Sequence, residues 1–350
     1  MTSPSATDRA ARSARTRRSR AVLASRLPAA RALGRRLGAH LTDPEGFERL
    51  LERGLRQLAD PGHQATQARR APGARGLLGV RQPLLAAIAR QVGRRLDGAS
   101  PALALYLADR LTRSADHEAR LLAVPILSHS LRADPERSWQ LLRRIGRAAS
   151  EPMTVDALAG LVATGVRAEP YRWAELEQLA YATSPWERRL VGSALARLAQ
   201  SLPHDEGRAL AIEADAPRSL RLCRQLMGDP EAAVQEALAR ALRAWSRVAP
   251  AAAGRFVEAE TEIAVASGDG NRAWVLRAAV AGLDARLGTQ LRIRLRGLRR
   301  APQAPDTSAA AAAVAAFAAG GFRLPDPGPQ AEPPLALAGS GGPTVRSLAR

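Results

Sequence analysis

Ser184-Pro185-Trp186-Glu187-Arg188-Arg189-Leu190-Val191-Gly192-Ser193-Ala194-Leu195-Ala196-Arg197-Leu198-Ala199-Gln200 is the stretch that decides the fold class. Leu190, Val191, Ala194, Leu195 and Leu198 recur at the three- and four-residue spacing of a helix with one apolar face. Ser184 stands at the N-cap and Pro185 at the first helical position, where its missing N–H is not needed. Trp186, Arg188 and Arg189 then fall on the first turn, an aromatic ring beside two guanidinium groups within reach of a polyanion. An arginine-bearing turn is ordinarily a solvated face, so its meaning depends on what accompanies it.

The same period extends in both directions. Helices are expected over 44–58, 82–95, 101–113, 117–131, 135–149, 155–166, 171–181, 185–200, 205–215, 217–227, 230–247, 251–265 and 273–287. Alternating strand patterns are absent, and Gly, Pro and Asp break the segments at even intervals. Pairs of helices repeat roughly every 35–40 residues without a strict consensus, which predicts an all-α, right-handed α-solenoid of irregular HEAT-like units. A helical bundle is the alternative. The solenoid is expected over 26–300. Residues 1–25, rich in Ser, Thr, Ala and Arg, read as a disordered basic arm, and the Ala/Pro/Gly-rich 301–350 as a flexible tail.

Charge sharpens the picture. All 52 basic residues are arginine, against 33 acids, for a net charge of +19. The excess sits on the flanks: residues 1–36 hold ten arginines against Asp8 alone, and 286–300 hold six with no acid. The central part is only mildly basic, so a nucleic-acid reading must place its arginines on one face. The Arg292-Ile293-Arg294-Leu295-Arg296 run could grip phosphates or be a solvated basic tail. A single cysteine, Cys223, excludes an internal disulfide and a paired-cysteine zinc cage, and its helical setting reads as a core thiol. No apolar run approaches the roughly 20 residues of a membrane span. A cytoplasmic, nucleoid-associated monomer without metal or cofactor is the expectation.

No phosphate-binding glycine loop, catalytic triad or metal-ligand spacing is visible, and His40, His63, His117, His129 and His204 are scattered. Trp139, Trp173 and Trp274 read as packing residues. What remains is a series of short phrases in order. Gly79-Val80-Arg81-Gln82-Pro83 precedes Leu84-Leu85 and Ile88-Ala89; Glu118-Ala119-Arg120 precedes Ala123; Val155-Asp156, Trp186-Glu187-Arg188-Arg189 and Val234-Gln235-Glu236-Ala237 with Leu242-Arg243 follow. Over about residues 75–280 this order and spacing resembles the DNA alkylation repair family, the AlkD-like DNA glycosylases built of HEAT-like repeats.

The resemblance implies a groove that grips double-stranded DNA, with Arg81, Gln82, Trp186, Arg188, Arg189, Arg240 and Arg243 as the contacting residues. It also implies cleavage of the N-glycosidic bond of a cationic N3- or N7-alkylated purine without extruding the base. Such a base leaves without a general acid, so one carboxylate suffices to stabilise the sugar's oxocarbenium character and align water. By motif match Asp156 is that carboxylate and Arg189 the clamp on the neighbouring phosphate. The chain departs from the family at two tryptophan positions, filled here by Pro152 and Arg240. Each ring would supply a cation–π contact of about 0.5–2 kcal/mol, so their loss predicts weakened base release. Asp156 could instead favour the helix dipole, and Trp186 could be a packing anchor. A non-catalytic DNA-structure binder and a protein-interaction scaffold with an acidic partner stay open.

Overall fold

In a computed structural model of the protein, residues 6–320 are described, with side chains from Arg20 onward. Among them are sixteen α-helices and no strand. In chain order they are α1 (Ala6–Ala39), α2 (Pro44–Leu58), α3 (Pro61–Arg70), α4 (Gln82–Leu96), α5 (Pro101–Thr112), α6 (His117–Leu127), α7 (Pro135–Ala148) and α8 (Pro152–Ala168). There follow α9 (Arg172–Gln178), α10 (Pro185–Gln200), α11 (Gly207–Leu226), α12 (Ala232–Val248), α13 (Pro250–Ser267), α14 (Gly270–Ala279), α15 (Ala285–Arg294) and α16 (Ala309–Gly320). The fold is the expected all-α helical repeat solenoid.

Alternate helices form two layers. In the front layer α1, α4, α6, α8, α10, α12 and α14 each pack on the next, while α5 on α7 and α11 on α13 on α15 make the back layer. A repeat contributes one helix to each, and its apolar faces close only against neighbouring repeats. Helix α10, between α8 and α12, buries Leu190, Val191, Ala194, Leu195 and Leu198 at 2% exposure or less. Truncating a leucine here to alanine costs about 2–5 kcal/mol. Gly192 allows the close approach of α12, since a Cβ there would stand 2.9 Å from the Ala237 carbonyl carbon.

Helix starts follow from local chemistry. Asp43, Asp60 and Asp134 each precede a proline and accept the backbone N–H of Gly46, His63 and Arg137. Glu151 does the same before Pro152, taking the N–H groups of Met153 and Thr154. This cap starts α8 three residues ahead of the expected 155, which moves Asp156 out of the first turn. Ser184 occupies the N-cap position of α10 but makes no side-chain cap hydrogen bond.

Several expectations are corrected. Of the arm at 1–25, residues 6–25 belong to α1, because alanine and arginine are strong helix formers and the helix continues outward from Ala30, Leu33 and Leu37, buried against α4; residues 1–5 lie outside the described residues. The tail forms α16 against α11, and 321–350 lie outside the described residues. The two helices expected on either side of Ala216 are the single α11 with Pro217 inside, whose lost hydrogen bond is offset by the burial of Ser219, Leu220, Leu222, Cys223 and Leu226. Helix α6 stops at Leu127, where the Ser128 and Ser130 hydroxyls take the carbonyls of Pro125 and Leu127. The helix expected over 273–287 is split into α14 and α15. Helix α3, which buries no residue, has no apolar period by which it could be foreseen.

The far end of the solenoid is fastened by the chain folding back. Asn271 and Ala301 exchange two hydrogen bonds, and the Thr307 hydroxyl donates to Asp269, so residues 301–307 lie across the start of α14.

Candidate nucleic-acid interface

Asp156 projects from the second turn of α8 in the front layer, and two arginines converge on it. Arg189 of α10 meets it side-on, Nε to Oδ1 at 3.2 Å and Nη2 to Oδ2 at 3.0 Å. Arg240 of α12 meets it end-on, Nη1 to Oδ2 at 2.8 Å and Nη2 to Oδ1 at 2.9 Å. The Ser193 hydroxyl donates to Oδ1 at 2.9 Å and accepts from Arg240 at 3.2 Å. Both pairs use the two-pronged geometry that makes arginine–carboxylate contacts strong. Burial works against the charge on Asp156, but the hydrogen bonds from Arg240 and Arg189 outweigh it and hold the carboxyl below its usual range. It is an ionised carboxylate at neutral pH.

The two arginines differ in their freedom. The Arg189 side chain is 4% exposed, and its Nη1 also reaches the Ala233 carbonyl at 2.8 Å and Glu236 at 3.3 Å. Arg240 is 36% exposed and its Nε is buried without a hydrogen-bond partner. Five donors thus crowd a carboxylate that offers about four lone-pair directions.

Asp156 sits where two hollows meet. A groove of about 850 Å³ runs over α4, α6 and α8, with an apolar floor including Leu85, Leu121, Pro125, Met153 and Ala157, and with Gln82, Arg90, Arg94 and Arg197 among its polar lining. A smaller hollow of about 160 Å³ lies between α8, α10 and α12, lined by Asp156, Ser193, Arg197, Gln200 and Arg240. Arg90 makes no hydrogen bond or ion pair with the described residues, and Arg94 and Arg197 make only long contacts of 3.5 Å to Gln91 and Gln200. These exposed guanidiniums on one face are what a phosphate backbone requires.

Of the residues expected to contact DNA, the structure brings Arg189 and Arg240 to Asp156, and Gln82 to the groove. It does not bring the others there as free cations. Arg188 turns away, donating to the buried Asp229 at 2.7 Å and to the carbonyls of Ala182 and Thr183. Arg81 is paired with Asp60 at 2.8 Å. Trp186 is half-buried against the core, a packing role. Arg243, half-buried on α12, donates through Nε to the Ala239 carbonyl of its own helix. In place of these, sequence reading missed Arg90, Arg94 and Arg197. The signal was present on α4, where Gln82, Ala86, Arg90 and Arg94 succeed one another at four-residue steps down one face.

Two other phrases prove to be braces. Glu118, wholly buried, accepts the backbone N–H groups of Leu78, Gly79 and Val80 at 2.7–3.2 Å. Gly79 has a φ of +82°, and a Cβ there would stand 2.4 Å from the Asp60 carbonyl oxygen. Arg120 gathers the carbonyls of Arg75, Ser114 and Ala115. Trp139 is buried, with the Arg172 guanidinium 4.4 Å over its ring. In the basic run, Leu291 and Leu295 are buried while Ile293 is exposed, and Arg300 lies 4.9 Å over the Trp274 ring. Cys223 is buried, its thiol pushed up to about 12 by that burial, which leaves it inert. Among the described residues no group of three His, Cys, Asp or Glu side chains could hold a metal ion. No helix there is long and apolar enough to cross a membrane.

No curated protein and no solved structure matches the chain significantly. A family model does, that of the DNA alkylation repair enzymes, over residues 51–283, more than half of the chain and the whole of the region holding Asp156, Arg189 and Arg240. The chain belongs to the DNA alkylation repair enzyme family, with DNA as its partner and DNA alkylation repair as its role.

Proposed function

We propose that the protein cleaves the N-glycosidic bond of cationic alkylated purines in duplex DNA, leaving the base in the stack. Asp156 stabilises the sugar cation as the base departs. The observation that carries this reading is the position and state of Asp156: an ionised carboxylate at the junction of two hollows, flanked by guanidiniums that can hold the adjoining backbone. A leaving group that already bears positive charge needs no proton donor, and none is supplied beside Asp156. The duplex lies along the front layer, its phosphates on Arg90, Arg94 and Arg197. The protein acts as a cytoplasmic monomer on the nucleoid. Purified protein is expected to free 3-methyladenine or 7-methylguanine from methylated duplex, and Asp156→Asn to release neither while still binding DNA. Release of neither base by the wild-type protein would end the enzymatic reading.

A second reading has an observation of its own. With Arg189, Arg240 and Ser193 all on Asp156, no lone pair is left to align water. That favours a DNA-structure binder that retains the groove without the chemistry. Steep loss of duplex affinity with salt and no base release would identify it.

A further inference from the structure

The small hollow holds a cation in excess of what its carboxylate needs. Arg189 has all three nitrogens engaged and is closed off from solvent. Arg240 is the more exposed of the pair, keeps a buried Nε without a partner, and shares the hollow with the exposed Arg197 and with Gln200. A buried donor without a partner is unfavourable, so the resting seat of Arg240 is an incompletely satisfied one. Removing Arg240 from Asp156 would leave the carboxylate with Arg189 and Ser193, still hydrogen-bonded on both oxygens.

We infer that the hollow between α8, α10 and α12 is a phosphate seat and that Arg240 is a positioning residue shared between Asp156 and a DNA backbone phosphate. In the free protein Arg240 occupies the carboxylate. On duplex DNA a phosphate seated between Arg240 and Arg197 takes its guanidinium in the same two-pronged geometry and uncovers one edge of Asp156. The carboxylate is thereby masked until the backbone is in place, which reconciles a saturated Asp156 with a catalytic one. No bond is made or broken in the exchange; one anion replaces another on the same cation. The inference rests on the proposed seating of duplex DNA along the front layer, but not on base release.

The test is a salt titration of binding to unmodified duplex, with the full-length wild type, Arg240→Gln, Asp156→Asn and the double variant. Arg240→Met, which retains the aliphatic stem, is run beside Arg240→Gln. Loss of one phosphate contact lowers the slope of log affinity against log salt by about 0.9, and Arg240→Gln and Arg240→Met are expected to show that loss. Asp156→Asn, which removes the competing anion, is expected to bind about 2- to 10-fold more tightly. In the Arg240→Gln background that gain should vanish. A slope identical to wild type in both Arg240 variants would overturn the inference while leaving the DNA groove intact. So would a gain from Asp156→Asn that survives without Arg240, since it would then reflect bulk charge. Failure of the wild type to bind any duplex would instead remove the proposed function itself.

Discussion

Arg188 and Asp229 form an ion pair between α10 and the turn before α12, with Nε 2.7 Å from an Oδ2 that belongs to a carboxylate of zero exposure. Its neighbour in sequence, Arg189, reaches Asp156 of α8 instead, so two adjacent guanidiniums of one helix serve different carboxylates. Breaking a buried pair by removing one partner costs about 3–5 kcal/mol. Arg188→Ala is expected to lose stability in that range by urea unfolding. Duplex affinity of the folded variant should match wild type, because none of the donors of Arg188 faces the groove.

Arg240→Trp sets a ring beside Asp156 and removes one of the two guanidiniums that pair with it. One cation–π contact of about 0.5–2 kcal/mol corresponds to about 2- to 30-fold in rate. Single-turnover release of 7-methylguanine is expected to rise by that factor, and a fall would argue that Arg240 is needed for the chemistry.

Arg90, Arg94 and Arg197 are exposed, and none forms an ion pair with the described residues, so their replacement by alanine leaves the core untouched. Each substitution should reduce duplex affinity and lower the salt slope by about 0.9 without a change in melting temperature. A triple variant with wild-type affinity would place the duplex elsewhere.

His117 is buried, and burial, opposed by Glu151 and Glu118, holds its ring below the ordinary value of 6.5. The folded protein therefore favours the neutral ring. That contribution is fully present above the unfolded pKa and is lost as pH falls from 6.5 toward the depressed folded value. Stability should decline with acid across this window, and His117→Leu should flatten the decline. Some slope will persist, since His63 is lowered as well, again chiefly by burial.

Much of the architecture was legible because Pro and Asp mark helix starts whatever the tertiary setting. Thus 44–58 and 185–200 were placed to the residue, and α4 to within one. Helices 1 and 16 were not, since alanine-rich segments carry no apolar period and their packing against α4 and α11 is a tertiary fact. At the site, Asp156 and Arg189 were legible as phrases, and so was the arginine at 240. That Arg240 closes on Asp156 across 84 positions was not, because nothing local specifies which side of α12 faces α8. The Gly79 and Glu118 phrases were read only as carriers of the family resemblance, whereas their spacing serves a carboxylate holding three backbone N–H groups 38–40 positions away.

The return of residues 301–307 across the start of α14 has a consequence for how the molecule ends. A stack of repeats has no intrinsic last member, and whichever unit is outermost offers a raw apolar surface to the next molecule. Here the Asn271–Ala301 and Thr307–Asp269 bonds turn the chain back from the last helices, and α16 packs on the flank of α11. Shortening the protein to residue 297 would release the start of α14 and bare the face of α11 that α16 covers, and the trimmed chain should melt at a lower temperature than the full one.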